Sequence, residues 1–167
     1  MQPRLEFDKI APDAFRAMAA LQSYVTNSGL EHELIALVKL RASQVNGCAY
    51  CIDMHTKDAR ANGESEQRLY SLSVWRDAPF YTDRERAALE WTEAVTLISN
   101  GQTADELYER VRQRFTEKEL VTLTMGIIAI NGWNRLCIPF RAVPGDYQPK
   151  PVHASAAQTT FQPSQTR

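Results

Sequence analysis

Two cysteines and a histidine form the most chemically informative pattern in the sequence. Cys48 and Cys51 lie three positions apart and His55 follows, which gives C-x-x-C-x-x-x-H. Cysteines at this spacing can close a small disulfide ring, and the first turn of a helix favours a thiolate over a thiol. Because residues four apart share a helix face, the side chains of Cys51 and His55 can meet. The pattern indicates either a redox-active dithiol or three ligands of a metal site.

A zinc site would require a fourth ligand. The candidates are Cys137, His32, His153 and Asp53, and none has the spacing to the first three residues that zinc motifs show. Cys137 lies in a strongly apolar neighbourhood, which favours packing in the core. The sequence therefore predicts a dithiol site with no metal and no cofactor.

Hydrophobic periodicity places this pattern at the start of a helix. An apolar helix is predicted at 31–45, the dipeptide Asn46-Gly47 breaks it, and a new helix runs from Cys48 to about Ala61. Two capping signatures, Thr82 to Glu85 and Thr116 to Glu119, predict further helix starts. Additional helices are predicted at 12–26, 64–74, 104–115, 120–130 and 133–140. No convincing strand is found, so the fold class is all-α with about eight helices.

The sequence also contains what we interpret as a degenerate internal repeat. In each copy an apolar helix runs into Asn-Gly and a new helix follows, once at Asn46-Gly47 and once at Asn131-Gly132. The alternative is that Asn-Gly, a dipeptide that commonly ends helices, occurs twice by chance. The second copy has Trp133 and Leu136 at the cysteine positions, so only the first retains the chemistry. The repeat predicts a helix break at 131–132 and a position for Trp133 close to the active helix, walling the pocket.

Composition narrows the class of protein. The 167-residue chain has a net charge of -1 and 44% hydrophobic residues, which favours a sizeable core and no nucleic-acid partner. No apolar run is long enough for a membrane span and the start is not a signal peptide, so we expect a cytoplasmic protein without a membrane partner. We assign 1–145 to one helical domain and 146–167, rich in Gln, Pro, Ser and Thr, to a flexible or subunit-embracing tail.

The stretch from Leu37 to Lys57, together with Asn131-Gly132-Trp133-Asn134-Arg135, resembles the carboxymuconolactone decarboxylase superfamily, and within it the alkylhydroperoxidase D-like (AhpD-like) branch. The resemblance implies an all-α fold that assembles as a homo-oligomer, a trimer or hexamer. It also implies peroxide reduction by a cysteine pair that cycles between dithiol and disulfide, with a thiol or dithiol protein as reductant. Decarboxylase members lack the cysteine pair, so its presence favours the redox branch.

Two positions depart from the pattern of this branch. Peroxidase members have a glutamate of a proton relay where this chain has Ala36. Glu33 lies one helical turn earlier, near the same face, and is the candidate replacement. Some members have a histidine before the second cysteine, where this chain has Tyr50, whose hydroxyl is a poor base near neutral pH.

Peroxide reduction needs an attacking thiolate, a proton for the departing oxygen and a second thiol that resolves the sulfenic acid. We assign the attack to Cys51, because His55 is one turn away and can take or return its proton, and the resolution to Cys48. The reverse order remains open. The alternatives are a dithiol redox relay or adaptor for another antioxidant protein, and a lactone decarboxylase or isomerase that uses His55 as acid and base.

Overall fold

The computed structural model describes residues 2–101 and 103–149, and these form an all-α fold. The eight helices are α1 (Phe7–Ile10), α2 (Pro12–Thr26), α3 (His32–Asn46), α4 (Ala49–Ala61), α5 (Glu66–Ser71), α6 (Asp83–Thr96), α7 (Asp105–Arg112) and α8 (Glu117–Phe140). Short 3₁₀ turns follow α5 and α6, and no strand occurs in these ranges. The all-α prediction is confirmed. None of these helices has both the length and the apolar character needed to cross a membrane.

Helix α3 is the central element of the bundle. It packs against α4, α6 and α8. Leu34 and Val38 belong to one buried cluster, formed with α2, α6, α7 and α8. Leu37 and Leu40 belong to a second, formed with α4, α5, the segment between α5 and α6, and Leu89 of α6. Because α3 is apolar on both sides, its end, and hence the start of α4 at the cysteines, is held in place by two cores.

Both predicted capping boxes are present. The Thr82 hydroxyl accepts the backbone N–H of Glu85 (3.2 Å), and the Glu85 carboxylate accepts the backbone N–H of Thr82 (2.7 Å). Thr116 and Glu119 repeat this arrangement at 3.3 and 2.8 Å. Each pair satisfies backbone donors that a helix start leaves free, which explains where α6 and α8 begin.

The predicted helix break at Asn131-Gly132 is wrong, because α8 runs without interruption through both residues. The Asn131 side chain donates to the carbonyl of Ile127 (2.9 Å) and to the hydroxyl of Thr96 (3.0 Å). It is therefore not available for the side-chain-to-backbone hydrogen bond by which asparagine stabilises a turn. A Cβ atom on Gly132 would lie 2.7 Å from Cε of Met18. This glycine therefore permits the close approach of α2 to α8. The second copy of the proposed repeat is one helix, without a break.

A buried polar network ties the end of α3 to α8. The Asn46 side-chain amide donates to the side-chain oxygens of Asn131 (3.0 Å) and Asn134 (2.8 Å). Asn134 in turn donates to the hydroxyl of Ser43 (3.2 Å), and both Asn134 and Ser43 are buried. Buried amides with satisfied hydrogen bonds define a single packing arrangement. The network thus sets the position of the last turn of α3, directly before the cysteine pair.

We expect Asn134→Ala to lower the free energy of unfolding by about 2–4 kcal/mol, because it removes two buried hydrogen bonds and leaves a cavity. Urea denaturation monitored by circular dichroism measures the change. Asn100→Ala, on an exposed 3₁₀ turn, is the matched control and should change stability by less than about 0.5 kcal/mol. Equal stabilities of the two variants would contradict a structural role for the network.

After α8 the chain returns to α4. Arg141, with φ 57°, ends α8 in the left-handed conformation. The Gly145 N–H donates to Asp53 (3.0 Å), Lys57 donates to the carbonyl of Gly145 (2.7 Å), and the Tyr147 hydroxyl donates to Asp58 (2.7 Å). Residues 146–149, the first of the predicted tail, thus include an anchor on α4. The rest of that tail, 150–167, lies outside the described residues.

Candidate active site

Cys48 and Cys51 are joined by a disulfide at the start of α4, with their Cα atoms 5.4 Å apart. Gly47 ends α3 in the left-handed conformation (φ 70°), which glycine adopts without a steric penalty and which turns the chain sharply into α4. Cys48 then takes the N-cap position, and its Sγ accepts the backbone N–H of Cys51 (3.4 Å). The Asn-Gly break predicted here is confirmed.

The N-cap position makes Cys48 the better site for negative charge when the disulfide opens. The backbone N–H of Cys51 already points at its sulfur, and the positive end of the α4 dipole lies at the same place. Both cysteines are buried, each 1% exposed, so bulk water contributes little to the stabilisation of a thiolate. Stabilisation of a Cys48 thiolate therefore depends on the Cys51 N–H and on the start of α4.

Cys137 of α8 completes a cluster of three sulfur atoms. The sulfurs of Cys48, Cys51 and Cys137 all lie within 4.8 Å of one another, and all three residues are buried. Burial raises the pKa of the Cys137 thiol to about 11, so it is protonated at neutral pH. The sequence correctly indicated a buried position for Cys137, but no local pattern marked its proximity to the pair, because that proximity results from the packing of α8 against α4.

The N-terminal segment covers this cluster. Phe7 of α1 packs against the cysteines together with Tyr50 and Ala142. The Phe7 ring also contacts the ring of Phe140 (centroids 6.0 Å apart), and the Arg4 backbone N–H donates to the carbonyl of Phe140 (2.9 Å). A four-residue helix with few such attachments is expected to open locally more easily than the core. Access of thiol reagents to the disulfide is therefore predicted to depend on this segment.

We expect Phe7→Ala to accelerate reduction of the disulfide by dithiothreitol about tenfold, since loss of a half-buried ring worth roughly 1.5 kcal/mol shifts the opening equilibrium by about that factor. Quenched alkylation followed by mass spectrometry measures the rate. Ile10→Ala, at a 63% exposed position of the same helix, is the matched control and should leave the rate unchanged. Equal rates for Phe7→Ala and Ile10→Ala would show that the segment does not limit access.

A cavity of about 710 Å³ opens beside α3 and α4. The lining residues that bear on chemistry are Glu33, Ala36 and Lys39 of α3, His55 and Asp58 of α4, and Tyr147 of the C-terminal segment. Cys48 and Cys51 are not among its described lining residues, whereas His55, one turn after Cys51, is. Trp133 contacts the ring of Phe15 of α2 instead (centroids 5.4 Å apart), so the prediction that it walls the pocket is wrong.

His55 has a ring nitrogen that is shielded from solvent and unpaired. Its Nε2 has no hydrogen-bond partner among the described residues. Burial, and to a lesser degree the positive charge of Lys39, lower the pKa of His55 to about 3. The imidazole is therefore neutral at physiological pH. A shielded polar atom that lines a cavity and has no partner among the described residues is available to a ligand.

Lys39 is the functional candidate that sequence reasoning missed. Burial lowers the pKa of its ammonium group to about 8, and the nearby carboxylate of Asp58 opposes the shift. Lys39 is thus mostly protonated at pH 7 but can release its proton far more readily than an ordinary lysine. Its spacing of three residues from Ala36 on α3 was the signal that could have placed it at the same face. Tyr147 gave no such signal, because only the chain reversal after α8 brings it to α4.

The remaining predicted site residues are distributed as follows. Glu33 lines the same cavity as His55, but it is exposed and makes no hydrogen bond to His55 Nε2. Of the candidates for a fourth zinc ligand, His32 lines the cavity and Asp53 binds Lys57, so neither joins the sulfur cluster. His153 lies outside the described residues.

The chain is similar to several known proteins. Residues 12–94 match the carboxymuconolactone decarboxylase family. The uncharacterised protein YdfG of Bacillus subtilis is 45% identical over 138 residues, which cover 83% of this chain and 94% of YdfG. A crystal structure from Agrobacterium tumefaciens, of a protein of unknown function described as a candidate antioxidant defence protein AhpD, has a TM-score of 0.84 and 47% identity, covering 86% of this chain and 99% of the other.

A more distant structure agrees in fold. The AhpD core of a peroxidase-related protein from Ralstonia eutropha has a TM-score of 0.74 at 22% identity, covering 83% of this chain and 74% of that one. At this identity the likeness supports the fold alone. With the relative that is 45% identical, the family match and the all-α architecture, the chain belongs to the carboxymuconolactone decarboxylase family, in its AhpD-like branch.

Proposed function

We propose that the protein is a thiol-dependent peroxidase that reduces hydrogen peroxide or alkyl hydroperoxides. The observation that supports this most strongly is the Cys48–Cys51 disulfide at the start of α4, one turn before His55. A disulfide across a C-x-x-C turn at a helix N-terminus is an arrangement that opens and closes readily. Membership of the AhpD-like branch agrees with this activity.

The proposed steps take Cys51 as the attacking sulfur and Cys48 as the resolving one. The Cys51 thiolate attacks one peroxide oxygen, the O–O bond breaks, and Cys51 becomes a sulfenic acid while the other oxygen leaves as water or an alcohol after taking up a proton. The Cys48 thiolate, stabilised by the Cys51 N–H, then attacks the Cys51 sulfur and displaces hydroxide, which takes up a proton and leaves as water. An external thiol reopens the disulfide by attack at Cys51, because Cys48 is the better leaving group.

We assign delivery of the proton to the departing oxygen to residues that line the cavity beside α4. Neutral His55 can donate its N–H proton and accept another, and Lys39, whose pKa is about 8, is the group with a proton to replace it. Lys39 thus takes the role predicted from the sequence for Glu33. A transfer to the leaving group of this kind contributes about 10²–10⁴ in rate.

We expect Lys39→Met to reduce the peroxidase rate at pH 7 about 100-fold, because the cavity loses its acid. The wild-type rate should also fall as the pH rises through about 8, because Lys39 loses its proton there. The variant should show no such fall. Stopped-flow measurement of peroxide consumption from pH 6 to 9 shows both effects. Lys57→Met, at an ion pair with Asp53 on the same helix as His55, is the matched control. An unchanged profile in Lys39→Met would contradict the assignment.

The peroxidase proposal is tested on the purified protein. Reduced protein mixed with hydrogen peroxide or cumene hydroperoxide should form one Cys48–Cys51 disulfide per peroxide consumed, and dithiothreitol should sustain turnover. Negligible turnover together with a stable mixed disulfide to a second redox protein would favour the relay function. Activity on a lactone that survives loss of both cysteines would favour a decarboxylase or isomerase. We further propose a homo-oligomer, a trimer or hexamer, in the cytoplasm, with a thiol or dithiol protein as physiological reductant.

A further inference from the structure

We propose that Cys137 is a third redox-active thiol, which exchanges with the Cys48–Cys51 disulfide to form a Cys51–Cys137 disulfide between α4 and α8. The three sulfurs lie within 4.8 Å of one another, and Cys137 is the thiol that the native disulfide leaves free. The inference extends the proposed peroxidase cycle, but the exchange itself needs only the disulfide that the structure contains.

The sulfur positions permit the new bond. A disulfide requires a sulfur separation of about 2.0 Å, so rotation of the Cys137 side chain and a small shift of α8 must close the remaining distance. The end of α8 is suited to such a shift. Pro139 has no N–H to bond the carbonyl of Arg135, and the helix ends at the left-handed Arg141. The last turn of α8 therefore lacks the backbone hydrogen bond that a residue other than proline would donate to Arg135.

The site of attack follows from the leaving group. The Cys137 sulfur attacks Cys51, because the bond to Cys48 then breaks with the electron pair on the sulfur that accepts the Cys51 N–H at the helix start. The Cys48–Cys51 bond breaks, the Cys51–Cys137 bond forms, and the proton of the Cys137 thiol passes to Cys48. The number of thiols and disulfides is unchanged, so the step requires no oxidant or reductant.

The raised pKa of Cys137 sets the rate of this step. At neutral pH the thiol is protonated and exchange is slow, and its thiolate fraction rises about tenfold per pH unit up to about pH 11. Once exchanged, the oxidising equivalent is held in a buried link, and Cys48, flanked by the exposed Gly47 and Ala49, is a free thiol. The exchanged form thus has its disulfide between α4 and α8 and its free thiol at Cys48.

The decisive experiment uses Cys48→Ser oxidised with diamide. The chain has three cysteines, so an intramolecular disulfide in this variant can only join Cys51 to Cys137. After acid quenching, denaturation and alkylation, trypsin places Cys51 in peptide 42–57 and Cys137 in peptide 136–141, and the new link appears as these two peptides joined. We expect the joined peptides in dilute Cys48→Ser. The double variant Cys48→Ser/Cys137→Ser is the matched control, because it has a single cysteine.

A second measurement does not depend on any substitution. Oxidised wild-type protein held at pH 7, 8 and 9 and then quenched in acid should give the joined peptides at a rate that rises about tenfold per pH unit. Joined peptides in Cys48→Ser, or joined wild-type peptides whose fragmentation places the bond at Cys51, support the proposal. Two alkylatable thiols in Cys48→Ser, together with Cys48–Cys51 alone in the wild type, would overturn it. Because diamide oxidises thiols without peroxide, this outcome is independent of whether the protein is a peroxidase.

Discussion

Replacing Cys51 with serine is expected to reduce thiol-dependent peroxide turnover at least about 1,000-fold, since a serine hydroxyl cannot attack the O–O bond as a thiolate does. Loss of the attacking group removes the first step, so no sulfenic acid and no disulfide forms. Peroxide consumption in the presence of dithiothreitol measures the loss. Comparison of this variant with Cys48→Ser is informative, because the two cysteines lie in one helical turn but only Cys48 occupies the N-cap position.

Cys48→Ser is the matched variant for this prediction. With Cys51 intact, one equivalent of peroxide should still be consumed at close to the wild-type rate. In Cys48→Ser/Cys137→Ser, which has no second thiol, the Cys51 sulfenic acid should be trapped by dimedone in peptide 42–57. If instead Cys51→Ser retains the first turnover and Cys48→Ser loses it, the order of the two cysteines is reversed. Full turnover in both variants would rule out the peroxidase function.

Acidification should destabilise the native protein through His55. The pKa of this imidazole is about 3 in the folded chain, against an ordinary value of 6.5. In the unfolded chain His55 takes up a proton near pH 6.5, whereas in the folded chain it does so only near pH 3. Its contribution to stability is thus fully present above about pH 6.5 and is lost as the pH falls toward 3. One pKa unit corresponds to about 1.4 kcal/mol, so the loss is on the order of 4 kcal/mol.

The measurement is urea denaturation of wild type and His55→Gln from pH 7 to pH 4. Carboxylates titrate in both proteins, so the difference between the two curves isolates His55. The free energy of unfolding of the variant should fall less steeply with decreasing pH, by about 1 kcal/mol per pH unit. Parallel curves for wild type and His55→Gln would contradict burial of a neutral imidazole.

The two Asn-Gly dipeptides show how far local sequence could predict this fold. At Asn46-Gly47 the chain breaks, with Gly47 left-handed, and at Asn131-Gly132 it continues as a helix. The dipeptide is identical, so the difference comes from tertiary contacts. Asn131 binds Thr96, and Gly132 packs so close to the end of the Met18 side chain that a Cβ atom there would displace it. Propensity is a weak preference, and packing overrode it.

The Cys48–Cys51 pair and the spacing to His55 were determined by the sequence itself, because residues three and four apart in a helix have their relative positions set by helix geometry. The capping boxes at Thr82 and Thr116 were predictable for the same reason. What only the tertiary structure decided is the environment of these groups. Cys137 reaches the pair because α8 packs against α4, and the low pKa of His55 results from burial beside Lys39. Contacts and burial of this kind depend on residues distant in the chain, so no local pattern encodes them.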